Sequence, residues 1–82
     1  MVHLRNVRGS FATAGAFEET LLDDGDMNMA KILLELDRVG FDGCINPDHI
    51  PALEGDEGVL TRGLAYSVGY IKALFAMLAA FR

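Results

Sequence analysis

The sequence of 82 residues contains one cysteine, no tryptophan and only two prolines. One cysteine cannot form an internal disulfide, and a lone thiol is typical of a reducing compartment. Chains of this length bury about 60–65% of their unfolded surface, less than larger domains do, and usually need disulfides, metals or oligomerisation for stability. The sequence therefore predicts a compact helical mini-domain, an oligomer or a piece of a larger body.

Basic residues are scarce as well: 7 Lys and Arg stand against 12 Asp and Glu, for a formal net charge of −5. Nucleic acids and anionic membrane surfaces attract clustered Lys and Arg, and the sequence has no such cluster. We therefore expect neither as the main partner. A secretory signal needs an apolar stretch near the N-terminus, where His3, Arg5 and Arg8 stand instead. The expected location is the cytoplasm.

Charged residues are almost absent from residues 63–81, where Lys72 is the only one. The segment is nearly long enough to cross a bilayer. However, a lysine at the centre of a membrane costs about 2.5–3.5 kcal/mol, and the alanines and glycines of the segment lower its hydrophobicity. We predict a helix over 62–81 that is buried on most sides or packed into a larger body, and no membrane span.

Residues 2–7 alternate between apolar and polar side chains, which is typical of a β-strand with two different faces. Val2 and Leu4 share one face of this predicted strand. His3 and Arg5 share the other face, so the strand presents polar chemistry on one side only.

Residues 8–25 show no sustained hydrophobic period, and we predict a long loop with at most a short helical turn near 17–21. Loops of this length in compact domains are usually functional. We interpret Asp23 and Asp24 as solvated loop residues, because their spacing does not match a calcium-binding EF-hand. Asp26 is the predicted N-cap of the helix that follows.

Apolar residues recur at spacings of three and four over 27–39, which predicts an amphipathic helix. Gly40 stands where a helix commonly ends with a left-handed residue. Residues 41–46 are a predicted second strand, which Pro47 ends. The order is strand, helix, strand, helix, and it favours parallel pairing of the strands through a crossover helix. We therefore predict an α/β chain in which residues 1–82 form one unit.

Both predicted strands end in side chains suited to chemistry, and ligands of parallel α/β folds bind at the carboxyl ends of strands. The first strand carries His3 and Arg5, and the second leads into Pro47, Asp48 and His49. The histidines and the aspartate are donors that suit manganese, iron or zinc. Alternatively, a histidine on a short strand is a hydrogen-bonded structural residue, and Asp48 is a turn residue or helix cap.

The single cysteine and the tyrosines of the last helix are predicted to have structural roles. Cys44 alternates with Ile45 in the predicted second strand, so we expect a small buried side chain there and neither a nucleophile nor a ligand. Tyr66 and Tyr70 stand four residues apart on the last helix, and we predict that they are packing residues.

Five segments of the sequence have a familiar order: residues 2–8 (VHLRNVR), 23–29 (DDGDMNM), 40–43 (GFDG), 47–49 (PDH) and 65–74 (AYSVGYIKAL). Together they resemble the carboxyl-terminal part of the D-mannonate dehydratases. The resemblance covers nearly the whole chain. Its specific portions are the His-x-Arg-Asn-Val strand and the Pro-Asp-His run.

The resemblance implies a (β/α)8 barrel, similar to the sugar isomerases of the xylose isomerase kind, with this β-α-β-α chain as its last two units. It implies a divalent metal, usually Mn2+, and removal of water from D-mannonate to give 2-dehydro-3-deoxy-D-gluconate in hexuronate (glucuronate) breakdown. By resemblance, His3 is a metal ligand, Arg5 binds and positions the substrate, Asp48 is a metal ligand or a catalytic proton acceptor, and His49 is a catalytic proton-transfer residue. The family takes further ligands from earlier strands, and Cys44 does not stand at the position of its ligand cysteine.

The resemblance leaves alternatives open. The chain alone is expected to have little or no activity, because metal ligands and a barrel wall are missing from it. It is alternatively a non-catalytic truncated product that self-associates, or part of a related metal-dependent sugar isomerase or epimerase. The expected partners are a sugar acid and either further copies of the chain or the rest of the barrel. The loop of residues 50–62 lacks the tyrosine that family members tend to have there.

Overall fold

The computed structural model describes residues 1–9, 15–51, 53–56 and 61–81. Parts of the predicted loops, at residues 10–14, 52 and 57–60, lie outside the described residues. The described chain is a mixed α/β arrangement of short strands and two helices. In chain order the elements are β1 (Val2–Leu4), β2 (Asn6–Gly9), β3 (Phe17–Thr20), α1 (Met29–Arg38), β4 (Ile45–Pro47) and α2 (Thr61–Ala80).

The strands β1 and β4 form a parallel pair, which confirms the pairing predicted from the order of elements. His3 lies opposite Asn46 in this pair, and Leu4 lies opposite Pro47. The backbone N–H of Asp48 donates to the carbonyl of Leu4 at 2.7 Å, so the two strands end side by side. The second strand is shorter than the predicted 41–46 and continues through Pro47, whose missing N–H is tolerated at a strand end.

The predicted strand over 2–7 is in fact two strands, because the chain changes partner at Arg5. β2 leaves the parallel sheet and pairs antiparallel with β3, so part of the predicted loop over 8–25 is a β-hairpin. Arg8 lies directly opposite Glu18 in this hairpin, and its Nη1 donates to Glu18 Oε1 at 2.9 Å. Opposite charges in directly facing positions stabilise antiparallel pairs. The helical turn predicted near 17–21 is therefore wrong.

Asn6 is a buried side chain that ties the hairpin to the loop before α1. Its Nδ2 donates to the carbonyls of Leu22 at 2.7 Å and Met27 at 2.9 Å. Its Oδ1 accepts from the backbone N–H groups of Val7 at 2.9 Å and Met27 at 3.0 Å. A Cβ on Gly25 would collide with this amide, which explains a glycine there. The buried amide thus fixes the course of the loop.

The helix α1 has the amphipathic pattern predicted for 27–39, but its N-cap is Asn28 rather than Asp26. The Asn28 side chain accepts a hydrogen bond from the backbone N–H of Lys31. Asp26 instead accepts from the backbone N–H of Gly9 at 2.9 Å, which holds it against the hairpin. Gly40 has a φ of 78°, as predicted for the residue that ends the helix.

The apolar core lies between the parallel pair β1–β4 and the two helices. Its buried members are Leu4, Leu22, Met29, Leu33 and Ile71. Alternation along β1 directs Leu4 into this core and leaves His3 on the opposite, exposed face of the sheet. One face of the small sheet is therefore packed on helices, while the other face carries polar side chains.

The helix α2 begins and ends within one residue of the predicted 62–81. By length and composition its segment Arg62–Ala80 could cross a membrane, but core helices pass the same test. Only 17% of the tested segment is buried, so the expectation that the helix is buried on most sides is wrong for the described chain. Exposed apolar side chains such as Val68 and Met77 leave packing into a larger body as the open alternative.

Candidate active site

The structure brings the four predicted site residues together at the carboxyl ends of β1 and β4. His3 Nδ1 lies 3.7 Å from Asp48 Oδ2, and His49 Nε2 lies 3.5 Å from the same oxygen. The side chains of both histidines are about half exposed, at 53% and 50%. Asp48 therefore stands between two imidazoles at an open edge of the molecule, within reach of a ligand.

His49 has an unusual backbone. Its φ is 52°, in the left-handed region, and it is the only non-glycine with positive φ among the described residues. A left-handed conformation costs a residue with a Cβ roughly 1–2 kcal/mol, and such strain often occurs at functional sites. In this conformation the imidazole lies beside the Asp48 carboxylate, with Nε2 3.5 Å from Oδ2.

Glu19 also belongs to the site, although no motif in the sequence predicts it. The carboxylate accepts from Nε of Arg5 at 3.0 Å and from Nη2 of the same guanidinium. This bond to Glu19 raises the pKa of Arg5 above its usual value. Glu19 Oε1 also lies 3.6 Å from His49 Nδ1. The sequence pattern predicts a loop over this segment, and only the pairing of β3 with β2 brings Glu19 to the site.

The donors fit a divalent metal in type but not in number. An imidazole nitrogen from His3 and a carboxylate oxygen from Asp48 are ligands that suit manganese, iron or zinc. Across the described ranges, no group of three or more His, Cys, Asp or Glu could hold a metal ion. His3 and Asp48 alone are therefore too few donors for a complete coordination shell.

The other reactive residue types lie elsewhere. Cys44 precedes β4 and is exposed, so the expectation of a buried side chain is wrong. Tyr66 is 44% exposed and donates from its hydroxyl to Asp23 at 2.5 Å, a bond that raises the pKa of the tyrosine. Tyr70 packs against the core as predicted.

The acidic loop before α1 is held by neighbouring donors. Asp24 Oδ1 lies 3.2 Å from Arg8 Nη2, and Asp23 accepts from Tyr66. A cavity of about 340 Å³ opens between this loop and Tyr70, and none of the four predicted site residues lines it. The loop acids therefore have structural partners, in agreement with their interpretation as loop residues.

Asp56 fixes the start of α2 in the loop that follows the site. Its side chain accepts from the backbone N–H of Leu53 at 3.0 Å and from that of Arg62 at 2.9 Å. The bond from Leu53 has the largest effect and the bond from Arg62 the next, and both lower the pKa of Asp56 below its usual value. Because hydrogen bonds to the ionised form favour it, the carboxylate stabilises this end of the helix only while it is ionised.

We expect replacement of Asp56 by alanine to lower the urea midpoint of unfolding at about pH 7 and to have little further effect well below about pH 4. A depressed pKa in the folded state contributes stability that is present above the unfolded pKa and is lost as the pH falls through the folded one. The matched control is Glu54→Ala, since Glu54 is exposed and contributes its backbone carbonyl, not its side chain, to Arg62. Equal midpoints for wild type and Asp56→Ala at neutral pH would contradict this role.

Comparisons with known proteins agree with the resemblance that the sequence shows. The family model of D-mannonate dehydratase (UxuA) matches residues 1–82. A mannonate dehydratase of Enterococcus faecalis (strain ATCC 700802 / V583) is 34% identical over 79 residues, which cover 90% of this chain and 22% of that protein. No solved structure matches the chain. This chain spans about a fifth of that relative's length and belongs to the D-mannonate dehydratase (UxuA) family.

Proposed function

We propose that this chain forms one edge of a metal-dependent lyase site that removes water from D-mannonate to give 2-dehydro-3-deoxy-D-gluconate. The observation that carries the proposal is the cluster of His3, Asp48 and His49 at the ends of two parallel strands, in a chain of this family. The reaction belongs to hexuronate breakdown, and its expected location is the cytoplasm.

The proposed fold is the last two strand–helix units of a (β/α)8 barrel. Three features support it: β1 and β4 are parallel, one face of their sheet packs on helices, and the polar face carries His3 and Asn46. Side chains on that face of a barrel strand point toward the barrel axis, and active sites lie at the carboxyl ends of the strands. Two of eight units also agree with the 22% of the relative that the chain spans.

His3 and Asp48 are the proposed ligands of the metal, with Mn2+ as the expected ion. A bound divalent ion would stabilise the negative charge that develops on substrate oxygens. His3 supplies a nitrogen donor and Asp48 an oxygen donor, and their atoms lie 3.7 Å apart. The remaining ligands are proposed to come from other barrel strands.

The chemistry requires a base to remove the proton from the carbon that carries the carboxylate, and an acid to protonate the hydroxyl of the next carbon so that it leaves as water. The enol that results becomes the 2-keto acid when its hydroxyl proton is lost and the deoxygenated carbon gains a proton. His49 is the proposed proton-transfer residue, because its imidazole is half exposed at the rim beside Asp48, and an imidazole has one nitrogen that donates a proton and one that accepts it. Arg5 is the proposed partner of the substrate carboxylate, since a guanidinium matches a carboxylate in geometry and charge. Asp48 is the alternative proton acceptor.

The isolated chain is expected to turn over little or no D-mannonate, because its described residues supply only part of a metal shell. The test is an assay of the purified chain with D-mannonate and Mn2+. It is compared with a hybrid in which this chain replaces the matching 79-residue segment of the Enterococcus faecalis enzyme. We expect turnover in the hybrid alone; a folded hybrid without turnover would count against the proposed function.

Two rival interpretations have their own outcomes. Product analysis of the hybrid separates elimination from isomerisation or epimerisation. Elimination releases water and a 2-keto-3-deoxy acid, whereas an isomer or epimer has the same elemental composition as the substrate. A non-catalytic chain that self-associates is favoured by the exposed apolar side chains of α2, among them Leu64 and Met77. Sedimentation of the chain would then show a stable oligomer, and a stable monomer would exclude this rival.

A further inference from the structure

We propose that Glu19 is a positioning residue of the lyase site, holding the guanidinium of Arg5 and the imidazole of His49 in fixed orientations. The inference rests on the proposed function, because it assigns Glu19 a part in that site. Neither the sequence motifs nor the family resemblance assigns a role to this glutamate. It is the hairpin β2–β3 that brings the residue to the rim.

The first step is the contact between Glu19 and Arg5. Both carboxylate oxygens are used, one by Nε at 3.0 Å and one by Nη2, so the pair is bidentate. Each side chain is only 28% exposed. The guanidinium also lies over the ring of Phe17, 5.6 Å from the ring centroid. A bidentate carboxylate and an aromatic face together restrict both the position and the plane of a guanidinium.

The second step is the alternation along β3. Phe17 and Glu19 are two residues apart on a strand, so their side chains leave the same face of the hairpin. Both contact Arg5, the residue at which the chain passes from β1 to β2. Glu18 leaves the opposite face and pairs with Arg8 instead. The hairpin therefore has one face directed at the site and one directed away from it.

The third step is the contact with His49. Glu19 Oε1 lies 3.6 Å from Nδ1 of the imidazole, while Asp48 Oδ2 lies 3.5 Å from Nε2. The two ring nitrogens thus face two different carboxylates, and rotation of the ring would lose both contacts. A carboxylate beside one imidazole nitrogen commonly orients the other nitrogen toward its task.

One carboxylate therefore links the proposed substrate-binding residue to the proposed proton-transfer residue. Loss of the link should affect both substrate binding, through Arg5, and turnover, through His49. A residue that only stabilised the hairpin would lower the amount of folded protein and leave kcat and KM of the folded fraction unchanged.

Glu18 offers a matched control. It is the neighbouring glutamate on the same strand, it also pairs with an arginine of the hairpin, and its side chain is 64% exposed. Replacing Glu18 or Glu19 by glutamine removes the same charge from the same strand. The two variants differ in whether the lost carboxylate faced the site.

The test compares Glu19→Gln, Glu19→Asp and Glu18→Gln in the hybrid with the Enterococcus faecalis enzyme. We expect Glu19→Gln to lower kcat about tenfold or more and to raise KM several-fold, since small misplacements of positioning groups have effects of this size. Glu19→Asp should recover part of the loss, and Glu18→Gln should stay within about twofold of wild type. Wild-type kcat and KM in Glu19→Gln, or equal losses in Glu18→Gln, would overturn the proposal.

A second measurement does not depend on turnover. In the 82-residue chain itself, the side-chain Nε–H of Arg5 is observed by NMR in wild type and in the two glutamine variants. We expect its exchange with water to accelerate about tenfold in Glu19→Gln and to be unchanged in Glu18→Gln. Unchanged exchange in Glu19→Gln overturns the inference. An inactive wild-type hybrid counts against the proposed function alone, and the inference is then decided by the NMR result.

Discussion

Replacement of Asn6 by alanine is expected to destabilise the chain by about 3 kcal/mol, because each buried backbone group left without a partner costs about 1–3 kcal/mol. The amide is 1% exposed and makes four hydrogen bonds, two as donor and two as acceptor. Without this amide, the backbone carbonyls of Leu22 and Met27 and the backbone N–H groups of Val7 and Met27 lose a hydrogen-bond partner. Urea unfolding followed by far-ultraviolet circular dichroism measures the effect.

The acidic variant Asn6→Asp sharpens this test. A carboxylate has nearly the shape of the amide but cannot donate to the carbonyls of Leu22 and Met27, so it should be at least as destabilising as alanine. The control is Asn46→Ala, an exposed asparagine on β4 that is expected to change stability by about 0.5 kcal/mol or less. Equal stability of the Asn6 and Asn46 variants would show that the buried amide does not fix the loop.

Replacement of His49 by asparagine in the hybrid is expected to lower kcat by roughly 10²–10⁴-fold, the usual contribution of a proton-transfer residue. Asparagine is chosen because it tolerates the left-handed backbone that His49 adopts, with its φ of 52°. The variant therefore removes the imidazole while keeping the turn. Steady-state kinetics with D-mannonate at saturating Mn2+ provide the measurement.

The control for His49 is Asp42→Ala, since Asp42 is exposed and precedes β4, at the opposite end of the strand from the site. This variant should keep wild-type turnover. Circular dichroism of both variants separates loss of chemistry from loss of fold. A folded His49→Asn hybrid with turnover near that of wild type would remove His49 from the proposed mechanism.

The parallel pairing of the strands and both helices could be predicted because their signals are local. The spacing of apolar residues in α1 and the long, nearly uncharged apolar segment of α2 favour helices wherever they pack. The alternation of Val2, His3 and Leu4 likewise determines which side chains share a face. The order of elements then places His3 and Asp48 at neighbouring strand ends, which the structure confirms.

The hairpin could not be predicted, because its strands are short and their pairing is decided by contacts distant in sequence. Residues 17–20 carry no sustained alternation of apolar and polar side chains, and their partners are residues 6–9. The contribution of Glu19 therefore depends on an arrangement that no single segment encodes. Asn6 is a similar case, because its contribution to stability depends on four hydrogen bonds to the backbone of Leu22, Met27 and Val7.

The smaller errors have equally specific causes. Both Asp26 and Asn28 are good N-cap residue types, and the choice was made by the backbone N–H of Gly9, which binds Asp26. The predicted strand 41–46 includes Cys44, but β4 begins one residue later, and the cysteine side chain is exposed. In each case a contact or boundary outside the local pattern decided the outcome.

The most direct test of the central claim is identification of the product formed from D-mannonate by the hybrid with the Enterococcus faecalis enzyme, in the presence of Mn2+. The proposed function predicts 2-dehydro-3-deoxy-D-gluconate, formed in amounts equal to the mannonate consumed, and its loss in His49→Asn. A folded, metal-loaded hybrid that leaves D-mannonate unchanged, or that yields an isomer of it, would contradict the claim that this chain carries one edge of a dehydratase site.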